Sequence, residues 1–449
     1  MSHSEIAPLT EALLSAAQKA GADAADAIAI DGTSIHIEVL NGALELAERS
    51  EGVEIGLRVM VGHRQACVSA SDIESSTLTE MAERAVAMAR LAPEDPHIGL
   101  AEPDALSEMR DGDALDLVDL GEDPDPAALE SRALEAEAAA LAVDGISQVS
   151  SAGAAYSRHR IHLAASNGFA GGYSRTDHGT FCVAITGEGT GMERDHFGDG
   201  RNHLDDLMPA AVVGHTAAER TVERAGARKP PTGAFPVVYD ERVSSALIGH
   251  LLSATNGTSI ARGSSWARDL LGEQVLPADL SLTEEPHRPR TSGSRPFDAE
   301  GLPTRNRAIV ENGVLTGWTL DLATGRKLGM PSTGNAGRGT SNPPSPSIGN
   351  VRLTAGDLTR GALLAEMGTG LLITSMIGSS INATTGDYSR GASGFWVENG
   401  EIAYPVNECT VAGNLKDMLR SIVPANDARV HLSRVVPSLL VEGLTIAGA

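Results

Sequence analysis

Gly386-Asp387-Tyr388-Ser389-Arg390-Gly391 runs on through Ala392-Ser393-Gly394 into Phe395-Trp396-Val397-Glu398-Asn399-Gly400-Glu401-Ile402-Ala403-Tyr404. Two β-rich runs, 395–397 and 402–404, flank the Asn399-Gly400 pair. Asn-Gly readily takes the positive φ angles of a tight type I′ turn, so this segment reads as a β-hairpin. Upstream of it, an acid, a phenol, a hydroxyl and a guanidinium sit between two glycines. Aromatic residues make up only 3% of the chain, so this concentration of chemistry marks a candidate site. Val310-Glu311-Asn312-Gly313 repeats the same turn and predicts a second hairpin of similar design, without a solenoid period.

Working outward, the first region opens with a helical pattern over 6–20, followed by strand-like runs at 27–30, 35–40, 53–61 and 65–69. Ile55, Leu57, Val59 and Val61 alternate with polar or small neighbours, the period of a half-buried strand, and Gly62-His63 reads as its turn. Leu78, Met81, Ala82, Ala85, Val86 and Ala89 share one helical face, with Thr77 and Glu80 as a capping-box pair. Asp125 and Pro126 predict the N-cap and first residue of another helix. Strands and turns are expected over 146–185, with Asn167-Gly168 at a hairpin, then a helix from Leu204 to Ala225. The proline- and acid-rich stretch 93–103 and the linker 226–233 suggest boundaries. The reading is an α+β chain: an N-terminal mixed helix and strand domain at 1–103, a central α+β domain at 104–228 that could pack with the first as one unit, and a strand-rich C-terminal domain at 229–449. The loop 331–350 is expected to be mobile or functional.

The chain has 449 residues and a formal charge of -24, which argues against a nucleic-acid surface, because phosphate binding needs Lys and Arg. The most apolar stretch, 362–377, contains Glu366, Gly368 and Gly370 and falls short of a membrane span. Met1-Ser2-His3-Ser4-Glu5 lacks the basic and apolar parts of a leader, so a cytoplasmic location is expected. Cys67, Cys182 and Cys409 are isolated and odd in number, which suits separate reduced thiols.

Several motifs in order carry a family resemblance: Ser166-Asn167-Gly168-Phe169, Gly191-Met192-Glu193-Arg194-Asp195, Pro296-Phe297-Asp298-Ala299-Glu300-Gly301, Lys327-Leu328-Gly329, and the 386–415 stretch itself. Together they resemble the TldD/PmbA family over most of the chain, specifically its TldE (PmbA) branch. The resemblance implies a cytosolic zinc peptidase of two related subunits, enclosing a cavity that admits unfolded peptides. Some family members carry the label modulator of DNA gyrase, a role that the charge of this chain does not suit through direct DNA binding.

In the TldD branch, a helix entering the third region bears an HExxxH motif whose histidines bind zinc. Here Asp240 and Ser245 take the histidine positions and Glu241 survives. The family's third ligand, a C-terminal cysteine, has no counterpart, and His431 and Ser433 occupy that neighbourhood. Asp240 and Glu241 then read as a helix cap and its first-turn charge. His250, nine residues beyond Glu241, would face elsewhere on the helix. No metal or cofactor is expected in this chain, and zinc is expected in a TldD-type partner.

For Asp387, Tyr388, Ser389 and Arg390 two roles are open: a buried Asp–Arg pair with satisfied neighbours, or the wall of a channel that binds extended peptides. Histidines 159 and 162 read as exposed strand residues on opposite faces. Asp195, His196, Asp199 and His203 read as a solvated acidic loop, and Glu193 to Asp195 as structural. The leading expectation is a non-catalytic subunit that needs a TldD-type partner, with homodimer formation in the absence of that partner left open by the sequence. The alternatives are a self-sufficient hydrolase centred on Glu241, His250 or His431, and a homodimeric binder of extended peptides without protease activity.

Overall fold

Residues 5–448 are described, in a computed structural model; the leader reading of Met1 to Ser4 lies outside them. Helix α1 (Ala7–Ala20) starts with Pro8 in its first turn and ends on Gly21 at φ 93°, a left-handed cap that glycine takes without strain. Strands β1 (Ala24–Leu40), β2 (Ala43–Val61) and β3 (Arg64–Ala70) form a meander. β1 is one strand of 17 residues, where the apolar pattern indicated two runs. The polar Asp31-Gly32-Thr33-Ser34 between them stays extended because it pairs with β2 on one side and with the long fourth strand on the other. Helix α2 (Ser75–Leu91) buries Leu78, Met81, Ala82, Ala85, Val86 and Ala89, the expected face. Its capping box does not form: the helix begins at Ser75, and Thr77 instead donates to Asp72 Oδ2 at 2.6 Å.

Helix α3 (Pro126–Leu141) is capped by Asp125, which accepts from the Ala128 N–H at 2.7 Å. Strands β4 (Ile146–Ala165) and β5 (Ala170–Thr186) turn through Gly168 at φ 94°, and β6 (Glu193–Arg201) follows. Helix α4 (Ala210–Val222) starts later than expected, after a 3-10 turn at Leu204–Asp206. Pro209 is the reason, since the residue before a proline is pushed out of the helical region. The sheet order β3-β2-β1-β4-β5-β6 makes one antiparallel sheet from strands of the first and central regions. Helices α1 and α2 cover one stretch of it, and α3 and α4 another.

The third region begins with β7 (Gly233–Tyr239), α5 (Glu241–Ala254) and the short α6 (Gly257–Arg262). Short elements follow: β8 (Leu282–Glu284), β9 (Arg307–Glu311), β10 (Val314–Leu315), α7 (Leu322–Leu328), β11 (Ala336–Gly337), β12 (Ser345–Pro346) and β13 (Val351–Leu353). Then come α8 (Arg360–Met367), β14 (Gly370–Ile381), β15 (Asp387–Glu398), β16 (Glu401–Asn414), α9 (Leu415–Arg420), β17 (Val423–Pro424), β18 (Arg434–Val435) and β19 (Leu439–Ala447). The fold is α+β, as read. Both Asn-Gly turns carry two positive φ angles, 49° and 82° at Asn312-Gly313 and 53° and 82° at Asn399-Gly400. Strands β16-β15-β14-β7-β19 lie in order, and β16 pairs back onto β19, which closes a five-stranded barrel. Helix α5 packs Leu247, Ile248 and Leu251 against barrel residues Tyr239, Ile373 and Trp396. Helix α8 packs against the alternate residues Val238, Leu372 and Phe395.

Among the ties between the third region and the sheet, two lie around the 296–301 turn and the 331–350 loop. Phe297 meets Phe169 edge-on at 5.0 Å, while Asp298 accepts from the N–H groups of Glu300, Leu302 and Ala336 and fixes the turn behind it. The loop 331–350 is pinned: Arg338, whose side chain is fully buried, binds Asp26 on β1, which also holds Arg58 on β2. Beside this triad, Gly56 lies so close to Thr340 that a Cβ there would come within 2.2 Å of the Thr340 carbonyl oxygen.

Candidate functional site

β7 runs parallel to β14 and delivers Asp240 to the start of α5, where its N–H donates to the Ile373 carbonyl at 2.9 Å. Its carboxylate caps the helix through the Arg242 N–H and is 1% exposed. One oxygen also takes Arg242 Nε at 3.0 Å and the other takes an Arg360 nitrogen at 2.6 Å. Burial alone would raise the Asp240 pKa, but the two guanidiniums outweigh it and hold it below the usual range. Glu241 pairs with Arg429 Nε at 2.6 Å. Arg242 also reaches Asp195 on β6 at 3.3 Å, and Arg224 reaches the same carboxylate at 3.5 Å. Ser245 is half-buried one turn along α5.

The other candidate donors do not join this cluster. Ser433 donates to Asn350 Oδ1 at 2.8 Å, and His431 Nε2 lies 3.6 Å from Asp199. His250 meets the ring of Tyr388 edge-on at 5.9 Å, on the side of α5 that faces β15. Burial, and then the charge of Arg390, push its pKa down to about 4. Among the described residues, no group of three His, Cys, Asp or Glu side chains is arranged to hold a metal ion.

The 387–390 stretch is the first part of β15, and its residues separate by strand alternation. Tyr388 is buried, with its hydroxyl 3.4 Å from that of Tyr239 and 3.4 Å from Met376 Sδ. Arg390 donates through Nε to the Gly378 carbonyl at 2.7 Å. Asp387 is exposed and accepts from Thr385 Oγ1 at 2.6 Å and Asn414 Nδ2 at 3.0 Å. The buried Asp–Arg pair does not form, because residues three apart on a strand face opposite ways. Ser389 is half-buried between them.

Two further expectations are corrected. His162 is not exposed: it is 6% accessible, with Nδ1 2.9 Å from Thr10 Oγ1 of α1. The 195–203 segment is no acidic loop, since most of it is the edge strand β6, with Asp195 buried against arginines and Asp199 paired with Arg201. Glu193 is likewise held, accepting from Asn407 and lying 3.6 Å from Arg224.

A cleft of about 600 Å³ opens where the end of β5 and the start of β6 face β14, β15 and β16. Met192, Arg194, Arg224, Met376, Ile377 and Asn407 line it. β7 pairs with β14 only from Leu371 to Ile373, so beyond that point the edge of β14 has no neighbouring strand among the described residues. Sequence reasoning missed this cleft: its walls come from segments some two hundred positions apart, and no local motif signals it.

Three models of one family match the chain in order. PmbA/TldA metallopeptidase domain 1 matches residues 25–89, the central domain 119–226 and the C-terminal domain 232–448. The metalloprotease PmbA of Escherichia coli O157:H7 is 36% identical over 444 residues, covering 98% of this chain and 96% of the relative. The metalloprotease PmbA homolog of Haemophilus influenzae is 37% identical over 441 residues, covering 96% and 94%. Among solved structures, a Bacteroides thetaiotaomicron protein labelled a modulator of DNA gyrase aligns with a TM-score of 0.91 at 26% identity, covering 99% of each chain. TldE from Thermococcus kodakarensis shares the fold, with a TM-score of 0.85 at 19% identity over 98% of this chain and all of that one.

Proposed function

The chain belongs to the PmbA/TldD metallopeptidase family, in its PmbA (TldE) branch, and within that family we propose that it serves as the subunit without the metal, paired with a TldD-type subunit that carries zinc and cleaves unfolded peptides. The observation that carries this reading is the state of Asp240. Zinc sites of this type are built from neutral imidazole and thiolate donors, and Asp240 stands in one such position with both oxygens bound to guanidiniums. A divalent cation placed there would have to displace Arg242 and Arg360 and then sit beside their charges. Ser245 supplies only a hydroxyl, and Glu241, the one retained chemical group, is neutralised by Arg429. The residues present therefore do not suit the metal.

In this reading the chain contributes a wall of the peptide chamber and stabilises its partner. Asp387, Ser389 and Arg390 belong to that wall, with Tyr388 packed behind it in the core, and the boundaries near 103 and 228 are part of the same proposal. A cytoplasmic location belongs to the same proposal; no described helix is long and apolar enough to cross a membrane.

The test is co-purification from native extract, followed by metal analysis and peptidase assays of the complex and of this chain alone. The expected result is a TldD-type partner in the eluate, zinc at one equivalent only in the complex, and cleavage of unstructured peptides only by the complex. One tightly held zinc per isolated chain, with proteolysis by that chain alone, would overturn the reading.

A further inference from the structure

We propose that the cleft between β6 and β14 is a peptide-docking site of this chain itself, which takes the apolar, carboxylate-bearing end of an extended peptide. The inference rests on the reading above only in taking peptides as the ligand class. Three observations meet in one place. The first is main-chain complementarity: over Ser375 to Ile377, residues that line the cleft, the edge of β14 away from β15 offers N–H and C=O groups that β7 does not reach, the arrangement that lets an extended segment add as a further strand.

The second is the character of the walls. Met376 and Ile377 stand on that strand, and Met192 faces them from the central region. Ile377 is 76% exposed and Met192 50%, an unusual display of large apolar side chains beside a concave surface. Methionine adapts its shape to different apolar groups, so these walls suit varied aliphatic or aromatic side chains. Gly391 contributes by having no side chain: a Cβ there would come within 2.6 Å of Ile377 Cγ2.

The third is charge. In the lining, Glu193 is held by Arg224 and Asn407, and Glu408 lies 3.7 Å from Lys229. Arg194 is exposed and has no hydrogen-bond or ion-pair partner among the described residues. Arg224 lies deeper, is 8% exposed, and keeps a buried Nε without an acceptor. The cleft thus retains one exposed cation, Arg194, and one N–H of the otherwise paired Arg224 that its own acids do not occupy, and a terminal carboxylate complements them.

The test uses the isolated full-length chain in chelator, without partner or metal. The probe is an N-terminally fluorescein-labelled octapeptide ending in two leucines, as free acid and as amide, followed by fluorescence polarisation. The free acid should bind saturably, and Ile377→Asp should weaken it at least about tenfold, the value of one apolar contact removed from water and a charge put in its place. Arg194→Gln should weaken the free acid but not the amide. Both side chains are exposed, so the thermal melts of the two variants should match that of the parent. Absence of saturable binding, or an affinity unchanged in Ile377→Asp, overturns the site. An equal effect of Arg194→Gln on acid and amide overturns the carboxylate assignment. None of these outcomes alters zinc content or partner dependence, so a failure here is distinguishable from a failure of the subunit reading.

Discussion

Replacing Glu300 by glutamine should make the protein more stable at alkaline pH and leave it unchanged at acid pH. Glu300 is 8% exposed and sits in the Pro296-Phe297-Asp298-Ala299-Glu300-Gly301 turn, where Oε2 accepts from the Leu322 N–H at 2.8 Å. Burial, then the neighbouring Asp298, raise its pKa from 4.5 to about 8; Arg58 opposes this and Asp321 adds to it. The sign follows from linkage. An acid whose folded pKa is raised binds its proton more tightly when folded, so its contribution is fully present below pH 4.5 and is lost as pH rises through about 8. At pH 7 the accumulated loss is on the order of 3 kcal/mol, from roughly 1.4 kcal/mol per pH unit. Glutamine keeps the acceptor for Leu322 and cannot ionise, so the variant escapes that loss. For a chain of this length the gain corresponds to roughly 3 °C in Tm, given the usual unfolding entropy per residue. The assay is thermal melting of parent and variant side by side from pH 5 to pH 9. Taking the difference cancels the titrating groups that do not interact with Glu300, including Asp26 and His250, whose folded pKa values are lowered. A difference in Tm that stays flat across that range would refute the reasoning.

Arg242→Ala should destabilise the chain by about 3 kcal/mol, because Asp195 and Asp240 would keep their buried charges with only Arg224 and Arg360 to hold them; chemical denaturation at constant pH measures this. Cys182 and Cys409 should resist thiol reagents at pH 8 in the native chain and react once it is denatured, since burial pushes their pKa values up to about 12 and about 11. A colorimetric thiol count before and after adding denaturant reads this out, and fast native labelling at either position would contradict the packing described.

What the sequence revealed of this fold divides by the range of the interactions involved. The buried face of α2 was legible residue by residue because a helix repeats every 3.6 residues and needs no distant information to do so. The two Asn-Gly hairpins were legible for the same reason, since a turn is fixed by the φ angles of two adjacent residues. Strand lengths were not. β15 and β16 run for 12 and 14 residues around apolar runs of three, because their extent is set by pairing partners in the barrel. The capping pair Thr77 and Glu80 failed because the helix start was fixed elsewhere, by the turn around Asp72.

The candidate site shows the same division in its chemistry. Aligned motifs could report that Asp240 and Ser245 stand where the family has histidines, but not what those positions do instead. The answer lies in Asp195, Arg360 and Arg429, from three separate segments, which converge on the first turn of α5 and are individually unremarkable in the chain. Similarly, the Asp387 to Arg390 stretch looked like one constellation in linear order, yet strand geometry sends Tyr388 into the core and Asp387 to solvent. Chemical groups that are adjacent in a strand are divided by it. Those that come together across the chain, such as Met192 and Ile377 on one cleft or Arg338 with Asp26, do so only through docking of the third region on the sheet. The place to look for binding in this chain is therefore the seam between central sheet and barrel, where a motif-based search has least to work with.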